Sequence, residues 1–267
     1  MSIYRDFFAI FWTGSLALML ASFSSPAEAQ EITVIQPDFP SNLTEIRIVS
    51  RDQPSEILIS RTGGWRDRKL EIEIVELWTH ETLRKVIPVH GNVILDITLS
   101  QFDDTLTNDS EYGATIFSGT GNDLIECGWR NDTVYLGSGN DVADLGSGDD
   151  VAYGGPGRDV IFGGNGDDYI RGNSGGDLLV GERGDDEMHG GDGADLLYGD
   201  DGDDYLAGGA SADGIRGAQG FNTLIVDPSD VLVDWPPFMN VFVHLGGNII
   251  YSGEYAFKYV AVYSDNP

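Results

Sequence analysis

The chain has 267 residues and carries 44 Asp and Glu against 15 Lys and Arg, a formal charge of −29. That balance excludes nucleic acid and anionic lipid as partners, because both demand basic surfaces. The single cysteine, Cys127, excludes an internal disulfide framework.

Residues 1–29 read as an export signal. Arg5 lies in a short leading region, an apolar stretch runs from Phe7 to Phe23, and Ala27-Glu28-Ala29 offers a small-residue cleavage site before Gln30. The apolar run is near the upper length for a signal, so an uncleaved anchor is the alternative. No later segment is long enough to span a bilayer as a helix. The expected mature chain is therefore 30–267, secreted or extracellular, with the periplasm as the other destination and no membrane span after cleavage.

Residues 30–117 form a β-rich segment by their alternation of polar and apolar side chains. Thr44–Val49, Glu56–Ser60, Lys69–Leu77 and Val93–Leu99 each read as a strand. They make either a small β-domain or extra coils continuous with the repeats that begin at Ser118. Asp103–Phe117 looks like a degenerate lead-in unit, with Ile116 in register with those repeats.

From Ser118 to Ile225 the chain repeats a nine-residue unit twelve times without insertion or deletion. Typical units are GGPGRDVIF, GGNGDDYIR and GGDGADLLY. Glycine dominates positions one, two and four, which predicts a tight turn. Position eight is apolar in every unit, from Ile125 through Ala143 and Ala152 to Leu224, which predicts a three-residue strand with its middle side chain inward. Two units close one coil of 18 residues, and coils stack at about 4.8 Å per layer. The predicted fold is all-β: a right-handed parallel β-roll (solenoid) of about six such coils over 118–225. The β-rich segment precedes it and a C-terminal β cap spans 226–267. In the cap, Val241–His244 and Ile249–Tyr251 flank a Gly246-Gly247 turn, and Tyr259–Tyr263 adds a strand.

Position six is the chemical column. It is Asp123, Asp132, Asp141, Asp150, Asp159, Asp168, Asp177, Asp186, Asp195, Asp204 and Asp213, with Asn222 in the last unit. Units n and n+2 place these carboxylates one layer apart on the same edge, where they would repel unless a cation lies between. A hard divalent ion taking six to eight oxygens suits two carboxylates plus the carbonyls of glycine-rich turns, and Ca2+ tolerates that irregular cage better than Mg2+. The pairs allow up to nine ions, and about seven remain when Arg130 and Ser211, which replace the fourth-position glycine beside Asp132 and Asp213, are discounted. The array carries 22 Asp and Glu against 5 Arg, a net of −17, which that many ions would nearly cancel. The metal-free array is thus expected to be expanded and to fold on binding.

The units resemble the RTX, or haemolysin-type, calcium-binding repeat GGxGxDxUx. That resemblance implies a parallel β-roll with Ca2+ held between turns. It covers about 108 of 267 residues. Many proteins of this kind leave through an exporter that reads an uncleaved C-terminal signal, a route that the N-terminal signal read here does not suit.

Candidate catalytic motifs fail on chemistry, and no catalytic residue is assigned. His80-Glu81 and His90 match part of a zinc-protease signature, but Arg84 stands where the second ligand belongs and Ile87 where a glycine belongs. Ser174 in Gly172-Asn173-Ser174-Gly175-Gly176 lies in a repeat turn with no placed histidine. His189 and His244 stand singly. The reading is a non-enzymatic, calcium-set structural or adhesive scaffold with an extracellular glycan or protein partner. Tyr135, Tyr153, Phe162, Tyr169, Tyr198 and Tyr205 serve either as aromatic platforms or as sheet stiffeners. The alternative is an accessory module or enzyme (hydrolase or lyase type) acting on extracellular polysaccharide or protein through a site in 31–117.

Overall fold

The computed structural model describes residues 31–35, 43–50, 53–62, 68–89, 91–227, 229–232, 240–245 and 248–252. The export signal, His90, the Gly246-Gly247 turn and the Tyr259–Tyr263 strand lie outside these residues. All regular structure among those described is β.

The nonamers alternate between two sheets. Units two, four and so on to twelve lie in a twelve-stranded sheet, here the even sheet, and the odd-numbered units lie in an eleven-stranded one, the odd sheet. Pairing within the array is parallel and joins residues 18 apart. Val134 meets Ala152, then Ile170, Met188, Leu206 and Leu224; Ile125 meets Ala143, then Ile161, Leu179, Leu197 and Ile215. These inward side chains are no more than 2% exposed. One apolar residue per strand makes the core a single row deep from each side.

The parallel ladders run past the twelve units. Leu43–Val49, Asn92–Thr98 and Ala114–Phe117 continue the even sheet, while Ser55–Thr62 and Thr105–Asp109 continue the odd sheet. The roll therefore has about eight turns rather than the six counted from the nonamers. Here the layers are broader and more apolar: Leu70, Ile72 and Ile74 are all buried from one strand.

Among the described residues, antiparallel strands finish both ends of the even sheet and the N-terminal end of the odd sheet, whose other end is Val231–Leu232, paired in parallel. Glu31–Ile35 pairs with Leu43–Val49, Lys69–Glu76 and Thr82–Pro88 extend the odd sheet, and Asn248–Ser252 pairs with Asn240–Leu245. Reversing direction at the ends breaks the continuation of the parallel ladder that an open roll would offer to another chain. The strand Thr82–Pro88 has no clean period-two pattern, its side chains being mostly exposed, and its alternation did not mark it in the sequence.

Layers this close leave no room for side chains at certain turn positions. Gly157 has φ +148°, and a Cβ there would lie 1.4 Å from the carbonyl oxygen of Gly139 one layer away. Gly157→Ala must therefore shift the backbone of two layers, whereas at Gly176 the nearest atom to a Cβ is 3.1 Å away. We expect Gly157→Ala to lower the calcium-loaded melting temperature by about 5 °C or more, and Gly176→Ala to move it far less. Equal melting of the two variants would contradict the layer contact as the reason for glycine.

Candidate metal centre

The turn preceding each strand ends on the sixth-position aspartate, and the structure buries all eleven of these to 0–2% exposure. Each has one satisfied oxygen and one bare one. The Oδ1 of Asp141 accepts the backbone N–H of Asp123 at 2.8 Å, that of Asp159 accepts Asp141 at 3.0 Å, and that of Asp177 accepts Asp159 at 2.9 Å. On the other edge Asp150, Asp168, Asp186 and Asp204 accept from Asp132, Asp150, Asp168 and Asp186 at 2.6–3.1 Å. The Oδ2 of every one of the eleven is buried with no hydrogen-bond partner. A buried carboxylate oxygen without a donor is costly, and a column of them calls for a cation as the partner.

The space beside these oxygens has the shape of a cation slot. At Gly154, Gly163, Gly172, Gly181, Gly190, Gly199 and Gly208, all first-position glycines, an added Cβ would fall 2.1–2.4 Å from the Oδ2 of the same unit's aspartate. At Gly163 that point is 2.4 Å from Asp168 Oδ2 and 2.9 Å from the carbonyl oxygen of Gly181 one layer on. Carboxylate and carbonyl oxygens thus converge on a point at separations near those of Ca2+ ligands, about 2.3–2.6 Å. Among the described residues no three His, Cys, Asp or Glu side chains converge. Backbone carbonyls must supply the balance, which favours a hard oxygen-seeking ion over zinc or copper.

Four units lack the glycine slot. Their first positions are Ser118, Cys127, Leu136 and Leu145, of which Ser118, Leu136 and Leu145 are buried. In the twelfth unit Asn222 turns its Nδ2 towards Gly217, where the other units aim an oxygen, and its Oδ1 accepts the Asp204 N–H at 2.8 Å.

Two aspartates outside the repeat close the odd column, and sequence reasoning missed them. Asp104 accepts from the N–H of Ser55 at 2.5 Å and from the N–H and hydroxyl of Ser100 at 2.8 and 2.6 Å, while its own N–H donates to Asp123 at 2.8 Å. Asp230 accepts from Asp213 at 3.1 Å and from Asp227 at 2.6 Å. Both oxygens of each are satisfied, so the bare oxygen is confined to the eleven between them. The sequence signal was present as Asp104-x-Leu106 and Asp230-x-Leu232, but at offsets of 19 and 17 residues from the neighbouring columns.

The remaining candidate residues do not assemble a catalytic site. Glu81 precedes and Arg84 lies within an exposed strand, where Arg84 bonds Glu71; His80 has φ +58° in the preceding turn. Ser174 ends a strand of the even sheet. His189 Nε2 donates to the Glu187 carboxylate at 2.9 Å. Cys127 is free, and burial with nearby Asp132, Asp150 and Asp144 pushes its thiol well above the ordinary range. The aromatic side chains divide between sheets: Phe162 and Tyr198 lie on the odd one, while Phe117, Tyr135, Tyr153, Tyr169, His189 and Tyr205 form a continuous ladder on the even one. Phe117, Tyr135 and Tyr153 stack at 4.8 and 5.1 Å with interplanar angles of 3° and 5°, so their faces cover one another.

The fold and this column define a calcium-binding β-roll. Residues 111–224 match the family described as the RTX calcium-binding nonapeptide repeat (4 copies), in overlapping matches over 111–143, 144–179, 153–188, 171–206 and 189–224. That stretch carries the RTX calcium-binding nonapeptide repeat, and repeats of this kind bind Ca2+. No curated protein matches the chain.

Burial also sets the proton chemistry of the metal-free column. Loss of water pushes Asp141, Asp159, Asp177 and Asp195 up to about 6, and Asp123, Asp132, Asp150, Asp168 and Asp204 up to about 7. Asp186 rises to about 8, with Asp168 and Asp204 adding to the effect of burial. Because the folded values exceed the unfolded value of 3.8, protonation favours the metal-free fold below about pH 4. That contribution disappears as pH rises through about 6 to 8. Ca2+ must displace these protons. In chelator, the β signal in far-UV circular dichroism should be stronger at pH 5.5 than at pH 8, and the Ca2+ midpoint should rise as pH falls. A Ca2+ midpoint independent of pH would contradict the burial of the column.

Proposed function

We propose that the chain is an exported calcium-binding protein whose β-roll folds on Ca2+ and acts outside the cytoplasm as a structural or adhesive scaffold. The observation that carries this reading is the column of eleven buried aspartates, each with one oxygen held by a backbone N–H and the other bare. In the proposed layout, residues 1–29 are removed, 30–117 found the roll, 118–225 take the metal and 226–267 cap it. The metal ligands are Asp123, Asp132, Asp141, Asp150, Asp159, Asp168, Asp177, Asp186, Asp195, Asp204 and Asp213. The seven first-position glycine slots beside Asp159 to Asp213 support about seven ions.

Extracellular modules bind Ca2+ at about 10⁻⁴–10⁻³ M, so such a roll stays empty in cytosol and fills after export. Among the described residues, no helix is long and apolar enough to cross a membrane. The scaffold reading is favoured over a hydrolase because the groove in the N-terminal half, lined by Arg68, Asn92, Glu111, Tyr112, Arg130 and Asn131, offers one carboxylate, and Arg61 and Arg68 already hold it at 3.0 and 3.3 Å. A protein partner is favoured over a glycan because Phe117, Tyr135 and Tyr153 of the even sheet cover one another's faces.

The test is far-UV circular dichroism of the chain titrated from chelator to about 10 mM Ca2+, a range that spans such affinities. We expect a cooperative gain of β structure that Mg2+ does not reproduce, with about seven ions bound by equilibrium dialysis. Gly163→Ala, which fills the slot beside Asp168, should remove about one ion while leaving the remaining transition in place. An unchanged spectrum with no bound metal would overturn the reading.

A further inference from the structure

The outer face of the odd sheet is ordered in a way the calcium column does not require. Its seventh-position residues, in layer order, are Thr105, Leu124, Val142, Val160, Leu178, Leu196, Gly214 and Val231. Leu124, Val142 and Leu196 are 37–43% exposed and Val231 is 61% exposed. The adjoining ninth-position column reads Glu126, Asp144, Phe162, Val180, Tyr198 and Arg216. An aliphatic row is thus flanked by acid at one end and a single arginine at the other.

We propose that this face is the interface of a two-fold dimer of the chain. A two-fold axis lying between the two copies, along the strands and midway between Val160–Asn165 and Leu178–Arg183, reverses layer order and keeps each column opposite itself. Glu126 then meets the partner copy's Arg216 twice over. Asp144 meets the hydroxyl of Tyr198, Val142 meets Leu196, Val160 meets Leu178, Phe162 meets Val180, and Leu124 projects over Gly214. Each charge in these two columns finds an opposite charge or a donor, and large residues oppose small ones where they are largest. In the single chain Glu126 is exposed and Arg216 is half-buried in a groove that Glu182, Asp200 and Asp201 also line. Arg216 Nε is buried without a hydrogen-bond partner, and Glu126 receives only a 3.3 Å bond from Thr107.

On the even sheet the seven layers from Ala114–Phe117 to Phe221–Ile225 have Tyr169–Ser174 at their centre, and the same reversal about that strand sets Arg171 against itself.

The area sets the strength. Eight layers at about 4.8 Å and three residues at about 3.3 Å give roughly 380 Å² per copy. That is below the usual interface of about 800 Å² per partner, so the dimer is weak and concentration-dependent. The charge of −29 on each chain opposes it further, so calcium loading should strengthen it.

The test is sedimentation velocity of the full calcium-loaded chain over a broad concentration range, with circular dichroism confirming the fold of each variant. The wild type should shift from monomer towards dimer as concentration rises. Arg216→Glu, which sets Glu against Glu126, should weaken association at least tenfold, and so should Glu126→Arg. The double variant Glu126→Arg with Arg216→Glu should restore it. A wild type that stays monomeric, association that ignores either single reversal (as it would through the N-terminal apolar run), or a double variant that is not rescued overturns the proposal. If the chain proves folded without Ca2+, the calcium reading fails while this experiment stands unchanged.

Discussion

Everything in the roll depends on how a carboxylate can be buried in every layer. The backbone N–H of one aspartate is donated to Oδ1 of the aspartate one layer on, so each layer is tied to the next through the group that most resists burial. The second oxygen has no donor. A buried charge without compensation either protonates or recruits a counter-ion, and both outcomes are written into the upward-shifted proton affinity of the column. The apolar core cannot substitute for that compensation. It offers one side chain per strand, two of them only Ala143 and Ala152, against turns rich in a residue that loses more freedom on folding than any other.

The same constraint explains how the column ends. Asp104 and Asp230 sit where the next layer no longer supplies a first-position glycine, and each has both oxygens occupied by hydrogen-bond donors. Asn222 ends the other edge by replacing one oxygen with an amide nitrogen. Three different substitutions thus reach one result, a terminal layer that requires no ion. The N-terminal layers go further and replace the column with hydrophobic width, burying several isoleucines and leucines per strand. The molecule passes along its axis from layers held by apolar packing to layers whose electrostatics call for metal. Ser118, Cys127, Leu136 and Leu145 mark the transition, since they retain the aspartate but not the glycine slot.

Much of this was legible in the sequence, because a strict nine-residue period leaves few folds open. The two sheets, the inward eighth position and the stacking of sixth-position aspartates along each edge all came from it. What was not legible has a common cause. The layers flanking the nonamers, at Asp104-x-Leu106 and Asp230-x-Leu232, obey the same logic but at offsets of 19 and 17, and the next N-terminal layer pairs at an offset of 49, so a count in nines stops at Ser118 and Ile225. The strand Thr82–Pro88 hides because an exposed edge strand has no buried face to impose alternation. The column itself was read as carboxylates approaching one another, whereas a backbone N–H stands between Oδ1 atoms of successive layers and only Oδ2 is left for a cation. That division of labour between two oxygens of one side chain has no sequence signature. The role of the first-position glycine, as the space a cation would use rather than a source of backbone freedom, has one only in retrospect.

Positions seven and nine are bound by none of these constraints. They face outward, they touch neither the core nor the turn, and a layer tolerates almost any residue there. Freedom of that kind usually gives mixed, solvated surfaces, as on the even sheet, where Thr133, Val151, Tyr169, Glu187 and Tyr205 succeed one another and the aromatic ladder stiffens neighbouring strands. On the odd sheet five successive layers instead place Leu or Val in the same column, and the charged residues beside them gather by sign at opposite ends. In a chain of net charge −29, leaving that strip aliphatic works against solubility rather than for it. Nothing inside the roll accounts for it, since the inward residues of the same strands already supply the core. The order of that column is therefore set by what lies against it, and a second copy in reversed layer order is the partner whose charges fall where this face needs them.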